Sequence, residues 1–529
     1  MKTKSLIYNG TIYTQSHDTV ANSMVIYKNR IIAVGNNLQY DDDFKSYHKI
    51  DLKGKTVIPG LVDAHTHFYF FALSLGRVSL AGLDSLEKCL NKIKKFASGL
   101  KKGEWVVGEG YSLDNFKKRI EPNRYMLDKV TGGRPAFIYS KDQHTAWVNS
   151  KALKMANITA ATRDPMTGGK IVRFADKTPT GIFKENIAYD KIYELIPSPS
   201  RKQIDKLYKK ALAFAYKNGV TGIHSFDSSE AFTYFSDLAE ENALGLRISY
   251  YFPVNKLPEL HKNKIYYGSG TEFFRLSGVK IFADGSLGSQ TALCFNQYIG
   301  SKGNYGIEVT SSGELTSYIN SASRLGFPCA VHAIGDKAVA NVLDAFEKSR
   351  KLDFGARHRI EHFQLVRKKD LNRVKRLGVI ASMQPSHCPA DIKMVHKYWG
   401  KRGANAYIFR TIIDKKINLA FGSDAPIEPL KPLEGIAAAV RRALPKSRDV
   451  LNPKEKISAK EALYCYTVGS AFASGQEHSR GYLMPGYPAD FVILSDDITK
   501  IAPSKIYNIE VLATIIDGKI KYCHHALSL

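Results

Sequence analysis

The chain has 529 residues, of which 44% are hydrophobic and 24% charged, and its formal net charge is +26. These values are typical of a soluble globular protein, and the length predicts one large domain with at least one smaller domain. No apolar run approaches the roughly 18 residues of a membrane-spanning helix. The six cysteines are widely separated and form no C-x-x-C pair, which argues against a disulfide framework and favours a reduced, cytoplasmic protein.

The high positive charge can indicate a polyanionic partner such as nucleic acid or an anionic membrane surface. The lysines, however, are spread along the chain, and local clusters such as NKIKKFASGLKKG and VRKKDLNRVKR are typical of solvated helix faces. No aromatic-interleaved basic tract accompanies them. We therefore expect no nucleic-acid partner and no membrane partner.

Short β-like runs separated by turn signals fill the first sixty residues, as in SLIYNGTIYT and SMVIYKNRIIAVG. Similar short β-like runs recur near the C-terminus in ADFVILSDD and VLATIIDGKIKYC. Chain termini are often close together in a folded domain. We therefore predict that residues 1–58 and 480–529 form one composite β-sandwich domain.

Between these ends, β-like runs alternate with amphipathic segments such as RKQIDKLYKKALAFAYKNG. Eight such runs occur: VIPGLVDAHTH, GVTGIHSFD, LRISYYFP, GVKIFADG, PCAVHAIG, RIEHFQLV, VIASMQP and NLAFGSDAP. Eight β/α units favour an α/β fold with a closed (β/α)8 barrel of the TIM type over residues 59–72 and 205–479. Residues 73–204 are too many for one crossover helix and predict an inserted subdomain after the first barrel strand.

Side chains that can bind metal follow several of the predicted barrel strands. His65 and His67 are two residues apart, so they share one face of the first strand. Because barrel active sites lie at the C-terminal strand ends, we expect one cavity to be faced by His65, His67, Lys280, His332, His362 and Asp424. Neutral imidazoles and carboxylates suit Zn²⁺, which lowers the pKa of bound water toward roughly 7.

Each of these residues also has a structural interpretation. Lys280 can form an ion pair with Asp284, or its neutral amine can react with CO₂ to give a carbamate that bridges two metals. Asp424 can cap a helix or order a loop instead of accepting a proton from water. A single buried histidine such as His332 or His362 is more often a hydrogen-bonded core residue, but recurrence at successive strand ends favours ligands.

An ordered set of motifs runs through nearly the whole chain: PGLVDAHTH, GVKIFADGSLGSQTA, AVHAIGD, RIEHFQL, SMQPSH, GSDAP and MPGYPADFVIL. This set resembles the metal-dependent amidohydrolase superfamily, in particular its YtcJ-like branch, which includes N-substituted formamide deformylases. The resemblance implies a distorted (β/α)8 barrel, a β-sandwich built from both termini, and an insertion after the first strand.

The resemblance also implies roles for the residues at the strand ends. His65 and His67 would bind the more buried metal, and His332 and His362 the second. Lys280 would bridge the two as a carbamate, whereas Asp424 would be both ligand and base, so that Asp424 and His362 are the catalytic residues. The metal would be Zn²⁺, with one or two ions per chain.

The insertion has its own matches to this branch in DQHTAWVNSKAL and DPMTGGKIVR. His144, Trp147 and Asn149 are candidates for lining the substrate pocket, although this segment can equally serve to pack the insertion on the barrel. Gln384 and His387, at the end of the seventh strand, are further pocket candidates, and His224 is a weaker one.

The predicted reaction is hydrolysis of a C–N bond in a small amide, formamide or cyclic amide, with Asp424 taking a proton from the attacking water and passing it to the departing nitrogen. Deamination of a heterocycle is a close alternative. A non-catalytic polyanion-binding protein on a hydrolase scaffold is an alternative of another class, disfavoured because every expected ligand is present. The expected partner is a small-molecule substrate, and a homodimer is one candidate assembly.

Overall fold

The computed structural model describes residues 1–16, 19–166, 169–352 and 355–527, which form four β-sheets with 17 α-helices around them. The strands are β1 (Lys4–Tyr8), β2 (Thr11–Tyr13), β3 (Val20–Ala21), β4 (Ser23–Tyr27), β5 (Arg30–Gly35), β6 (His48–Asp51), β7 (Thr56–Pro59), β8 (Leu61–Thr66), β9 (Val78–Ser79), β10 (Val106–Tyr111), β11 (Ala136–Ser140), β12 (Thr145–Val148), β13 (Lys170–Arg173), β14 (Pro179–Lys184), β15 (Val220–Ser225), β16 (Arg247–Pro253), β17 (Phe274–Phe282), β18 (Cys329–Ala333), β19 (Arg359–His362), β20 (Ile380–Met383), β21 (Leu419–Phe421), β22 (Phe491–Leu494), β23 (Val511–Ile516) and β24 (Lys519–Cys523). The helices are α1 (Phe68–Ser74), α2 (Leu86–Ser98), α3 (Arg124–Asp128), α4 (Ser150–Met155), α5 (Asn186–Tyr193), α6 (Arg201–Lys217), α7 (Ser229–Glu240), α8 (Leu257–Lys262), α9 (Ser312–Arg324), α10 (Asp336–Ser349), α11 (Leu371–Leu377), α12 (His387–Ala390), α13 (Ile392–Met394), α14 (Phe409–Asp414), α15 (Pro432–Arg441), α16 (Ala459–Tyr466) and α17 (Val468–Ala473).

The central sheet has eight parallel strands in the order β8, then β15 to β21. Its two edge strands come together where the Asp424 amide donates to the His65 carbonyl at 2.7 Å and the His67 amide donates to the Ala425 carbonyl at 2.8 Å. These contacts curl the sheet into a distorted barrel and confirm the predicted fold class. The eight strands are the eight runs identified in the sequence.

The outer helices form because apolar residues recur at helical spacing. In α6 the buried residues Ile204, Tyr208, Ala211 and Ala215 form one face, and Ser200 with Gln203 makes a capping box at its start. The Ser311–Glu314 pair caps α9 in the same way. No helix of the described residues is long and apolar enough to cross a bilayer.

Strands from both ends of the chain share one sheet, in the order β24, β23, β22, β7, β2 and β3. A second sheet holds β1, β4, β5 and β6. Apolar side chains from both ends of the chain bury together, among them Ile12, Met24, Phe491 and Ile515.

Six strands between β8 and β15 form a separate sheet in the order β13, β14, β12, β11, β10 and β9. Alternate residues of β11 bury on opposite faces, with Ile138 in one apolar cluster and Phe137 and Tyr139 in the other. The sheet is therefore covered on both sides. The predicted domain boundaries near residues 58, 72, 204 and 479 stay predictions.

Gly422, which follows β21, permits the close approach that closes the barrel. A Cβ at this position would overlap the His65 amide and would lie 2.7 Å from Asp63 Oδ1. We predict that Gly422→Ala forces β21 away from β8 and lowers the free energy of unfolding by about 1–3 kcal/mol, the usual cost of overpacking. The measurement is the shift of the urea-unfolding midpoint. Gly313→Ala is the matched control, because a Cβ there has no neighbour within 4 Å; equal midpoints for both variants would contradict the prediction.

Candidate metal centre

The first histidine pair meets the last strand of the barrel at the closing seam. His65 Nε2 lies 3.5 Å and His67 Nε2 3.4 Å from Asp424 Oδ1. The nitrogens and the carboxylate oxygen are close enough to share one metal ion. Burial is the main reason that the pKa of His65 falls to about 4, so its imidazole is neutral and can act as a ligand.

Three further histidines come from the neighbouring strands β18 and β19 and from the segment after β20. The His362 ring lies 4.4 Å from the His332 ring and 5.0 Å from the His65 ring, measured between centroids. His387 Nε2 lies 3.6 Å from Asp424 Oδ2, and His362, His387 and Asp424 form a second group close enough to share a metal ion, whereas His332 belongs to neither of these two groups of described residues. His387, which was predicted to line a substrate pocket, lines the cavity described below.

His332 is oriented by a carbonyl on the loop after β17. Its Nε2 lies 3.2 Å from the Gly285 oxygen, and because a carbonyl can only accept, this nitrogen carries the proton. Nδ1 is then the ring nitrogen with a free lone pair. Burial lowers the pKa of both His332 and His362 well below the usual value, which keeps both rings neutral.

Lys280 is buried beside this cluster with no hydrogen-bond partner for its Nζ among the described residues. Its nitrogen lies 4.5 Å and 4.8 Å from the ring centroids of Phe226 and Phe282. Burial lowers the pKa of its ammonium to about 8. The carboxylate of Asp284 instead accepts backbone hydrogen bonds from Leu293, Ile334 and Gly335, so the alternative Lys280–Asp284 ion pair does not form.

The backbone is strained at two of the expected ligands. His362 and Asp424 have φ values of 68° and 62°, and Phe363 follows at 45°. Non-glycine residues avoid this left-handed region, and such strain concentrates at functional sites. The chain is thus held in an unfavourable conformation where its side chains turn toward the cluster. Asp424 also carries a pKa well below its usual range, because the imidazoles of His387 and His67 outweigh the effect of burial.

A buried carboxylate absent from the sequence predictions orients His65. Glu361 Oε2 lies 2.5 Å from His65 Nδ1, which directs the opposite ring nitrogen toward Asp424. Metal-binding histidines are commonly held by a carboxylate in this way. Arg359 in turn binds both oxygens of Glu361, at 2.5 and 3.1 Å. The sequence offered one signal for Glu361. In RIEH, an arginine and a glutamate two residues apart place opposite charges on the same face of an otherwise buried strand.

A cavity of about 240 Å³ opens onto this cluster. On the barrel side it is lined by His332, His362, His387 and Asp424. The insertion forms much of the other side with residues 111–114, 119, 121–122, 140–142, 144–145, 182 and 184. His65, His67 and Lys280 are not among the lining residues. The cavity therefore lies between the barrel and the insertion.

The insertion contributes two carboxylates that sequence reasoning missed. Glu185 Oε2 lies 2.7 Å from Nδ1 of His144, whose ring centroid is 6.1 Å from that of His332. Burial acts to lower the pKa of His144, but the Glu185 carboxylate outweighs it and raises that pKa to about 9. Asp142 accepts hydroxyl hydrogen bonds from Ser286 at 2.7 Å and Ser289 at 2.8 Å, which lie on the loop after β17.

The loop after β17 has glycine where these carboxylates approach. A Cβ on Gly288 would lie 2.9 Å from Asp142 Oδ2. One on Gly285 would first overlap the Thr291 side chain of the same loop, and it would lie 2.8 Å from Glu185 Oε1. A larger residue at 288 would therefore displace the Asp142 carboxylate, and one at 285 would displace Thr291 as well as Glu185.

Three of the expected pocket residues do not line the cavity, which corrects those expectations. Trp147 is buried within the insertion and donates its indole N–H to the Asn123 carbonyl at 2.9 Å. Asn149 caps α4 by accepting from the Ala152 amide at 3.0 Å. Gln384 is buried and faces the Ser382 carbonyl at 3.4 Å. His224 likewise contacts Arg359 inside the barrel rather than the cavity.

Two features of the cluster fit a divalent metal: its residue types, and its buried atoms that have no hydrogen-bond partner among the described residues. His65 Nε2, His387 Nε2 and Lys280 Nζ are buried without a hydrogen-bond partner among the described residues. Buried polar atoms are normally paired, and the two unpaired imidazole nitrogens lie 3.5 and 3.6 Å from the Asp424 carboxylate, where they are placed to bind a shared ligand. Imidazole nitrogens with carboxylate oxygen are a donor set suited to Zn²⁺.

Comparison with known proteins agrees with this geometry. The amidohydrolase family model matches residues 49–522. YtcJ of Bacillus subtilis is 32% identical over 98% of this chain and 99% of its own, and the N-substituted formamide deformylase of Arthrobacter pascens is 26% identical over 98% of each chain. The crystal structure of a metal-dependent hydrolase from Pyrococcus horikoshii superposes with a TM-score of 0.78 at 30% identity, covering 94% of this chain and 99% of that one.

The His144–Glu185 pair predicts a specific pH dependence of stability. Because the pKa of His144 is raised from 6.5 to about 9, the stability contributed by the pair is complete below pH 6.5 and is lost as the pH rises through 9. We predict that the difference in unfolding free energy between the wild type and Glu185→Gln is constant at low pH and shrinks across this interval. Urea unfolding from pH 6 to pH 10 measures it. Glu194→Gln, which removes an exposed carboxylate, should show no such change, and a pH-independent difference for Glu185→Gln would refute the assignment.

Proposed function

Because the chain belongs to the amidohydrolase family, as its family match and full-length relatives show, we propose that it is a metal-dependent hydrolase that cleaves a C–N bond in a small amide. The observation that carries the proposal is the convergence of His65, His67, His362 and His387 on Asp424 at one end of the barrel, with His332 beside His362. Two of these imidazoles have a buried nitrogen without a hydrogen-bond partner among the described residues. This arrangement opens onto a cavity large enough for a small molecule.

His65, His67, His332, His362 and Asp424 would hold the metal, with His387 as a further candidate ligand. When bound, a divalent metal such as Zn²⁺ activates water and polarises a carbonyl group. Glu361 keeps the His65 ring in the orientation and tautomer that ligation needs. The neutral state of His65, His332 and His362 favours ligation over protonation.

Asp424 is the proposed general base. It accepts the proton of the water that attacks the carbonyl carbon and then delivers that proton to the departing nitrogen. Its low pKa keeps the carboxylate ionised before the reaction. His362, which lines the cavity beside it, is the other catalytic candidate. On the opposite side, His144 presents an imidazolium held by Glu185, which suits it to donate a hydrogen bond to a substrate oxygen.

Lys280 is the proposed site of a carbamate. A pKa of about 8 leaves roughly a tenth of the side chain as neutral amine at pH 7, and the amine nitrogen adds to the carbon of CO₂ with loss of one proton. The product is an anion with two oxygens that can hold two metals. The absence of any hydrogen-bond acceptor for Lys280 Nζ among the described residues supports this assignment.

The proposed substrate class is an N-substituted formamide or a related amide. This rests on the relative from Arthrobacter pascens, whose name states deformylation of N-substituted formamides. The products would be an amine and a carboxylate. Release of ammonia from a heterocycle would instead identify a deaminase, and metal-free protein that binds DNA with a steep salt dependence would support the polyanion-binding alternative.

The role of Asp424 is tested by Asp424→Asn. The amide retains an oxygen for the metal but cannot accept a proton, so we predict nearly normal metal content with turnover reduced by about 10²–10⁴-fold. Elemental analysis gives the metal content, and amine release from a panel of N-substituted formamides gives the turnover. Normal turnover in this variant would rule out the role of base.

The role of Lys280 is tested by metal stoichiometry. We predict close to two metal ions per chain in the wild type and a sharp fall in Lys280→Ala, because the bridging anion is lost. Reconstitution of the wild type with and without added bicarbonate separates the carbamate from a purely structural lysine. One metal in both proteins would assign Lys280 a structural role in a mononuclear site, whereas no metal in either would overturn the proposed function.

A further inference from the structure

The charged side chains that line the cavity are nearly all paired. Arg119 lies 3.1 Å from Glu121 and 3.5 Å from Asp114. Lys141 lies 2.6 Å from Glu428. Such pairs leave little net charge for a ligand to recognise.

The two remaining carboxylates on the cavity wall outside the ligand cluster are satisfied by neutral donors. Asp142 accepts from the hydroxyls of Ser286 and Ser289. Asp391 accepts from Gln364 Nε2 at 2.9 Å and from the Tyr407 hydroxyl at 2.5 Å, both on Oδ2. Both carboxylates are therefore held in place by neutral donors of the protein.

Lys184 is different. It ends β14 and lines the cavity half-buried, and its side chain makes no ion pair, hydrogen bond or cation–π contact with any residue in the described ranges. The next residue, Glu185, holds His144. Thr145 lies opposite Lys184 in the sheet, and its hydroxyl is 3.3 Å from the hydroxyl of Ser289 on the barrel. The free ammonium therefore belongs to the part of the insertion that meets the metal centre.

We propose that Lys184 binds an anionic group on the substrate, so that the enzyme acts on acidic amides such as N-formyl or N-acyl amino acids. This inference rests on the proposed amide hydrolysis and adds that the substrate carries a negative charge. A partly desolvated ammonium forms strong charge-assisted hydrogen bonds with a carboxylate. Apolar residues that line the cavity, Leu113 and Ile182 on the insertion side and Ile427 on the barrel side, would contact the hydrocarbon part of the substrate.

The test uses N-formylphenylalanine and N-formylphenethylamine, which differ only by a carboxylate. Hydrolysis by the metal-loaded enzyme is followed by formate release, and binding is measured by calorimetry in the Asp424→Asn background, in which the heat of hydrolysis is suppressed. We expect the wild type to prefer the carboxylated compound by about tenfold, the scale of one charge-assisted contact. Lys184→Met should remove most of this preference, and Lys184→Arg should retain it. Lys154→Met, which removes an exposed lysine of α4 outside the cavity, is the control and should behave as the wild type.

The outcomes separate the two proposals. A wild type without the preference would overturn the role of Lys184, and so would a preference that survives in Lys184→Met, because the carboxylate would then be held by metal or by another residue. Binding that follows the expected pattern without hydrolysis of any amide would support the anion site and count against amide hydrolysis. Hydrolysis of both compounds at equal rates and with equal affinities would support amide hydrolysis and refute the anion site.

Discussion

One buried ion pair inside the barrel, between Arg359 and Glu361, ties the strands to the metal centre. Both side chains are fully buried. The guanidinium also donates to the Ala64 carbonyl and to Ser382 Oγ, and it contacts Tyr251 and His224, so it reaches β8, β15, β16, β19 and β20. A buried charge without partners costs several kcal/mol, whereas this network supplies a partner on almost every side. Since Glu361 also holds His65, the contacts that compensate the charge of the arginine also fix the first proposed metal ligand.

The metal centre depends on barrel closure for a related reason. His65 and Asp424 lie on opposite edges of the eight-stranded sheet, and only the seam brings them together. Strain in the backbone of His362 and Asp424 is tolerated because the surrounding strands hold these residues in place. Stability and ligand geometry are therefore determined by the same contacts, and a change that loosens the seam also separates the ligands.

The sequence predicted much of this architecture because its signals are local. Eight β-like runs and the H-x-H motif are visible from spacing alone, and the resemblance to amidohydrolases is confirmed by relatives along the whole chain. Asp142 and Glu185 were missed because Ser286, Ser289 and His144, which they bind, are distant in sequence, whereas Glu361 was missed although RIEH places it two residues from Arg359 on one face of a strand. Trp147 and Asn149 were misassigned although local signals existed: WVNSKAL places an asparagine cap before a helix, and Trp147 lies in a strand that is covered on both faces. Both residues were predicted to line the substrate pocket because they lie near a family motif. In the structure, their side chains instead stabilise the insertion.

The glycine at 288 bears on how the shape of the cavity can change. Asp142 of the insertion occupies the space that a side chain would need at this position. The two walls of the cavity are therefore fitted to each other here, although 79 residues, 205–283, separate the predicted insertion from the loop of residues 284–292. A larger side chain at either 142 or 288 would displace the other, so this part of the cavity changes shape only when both walls change.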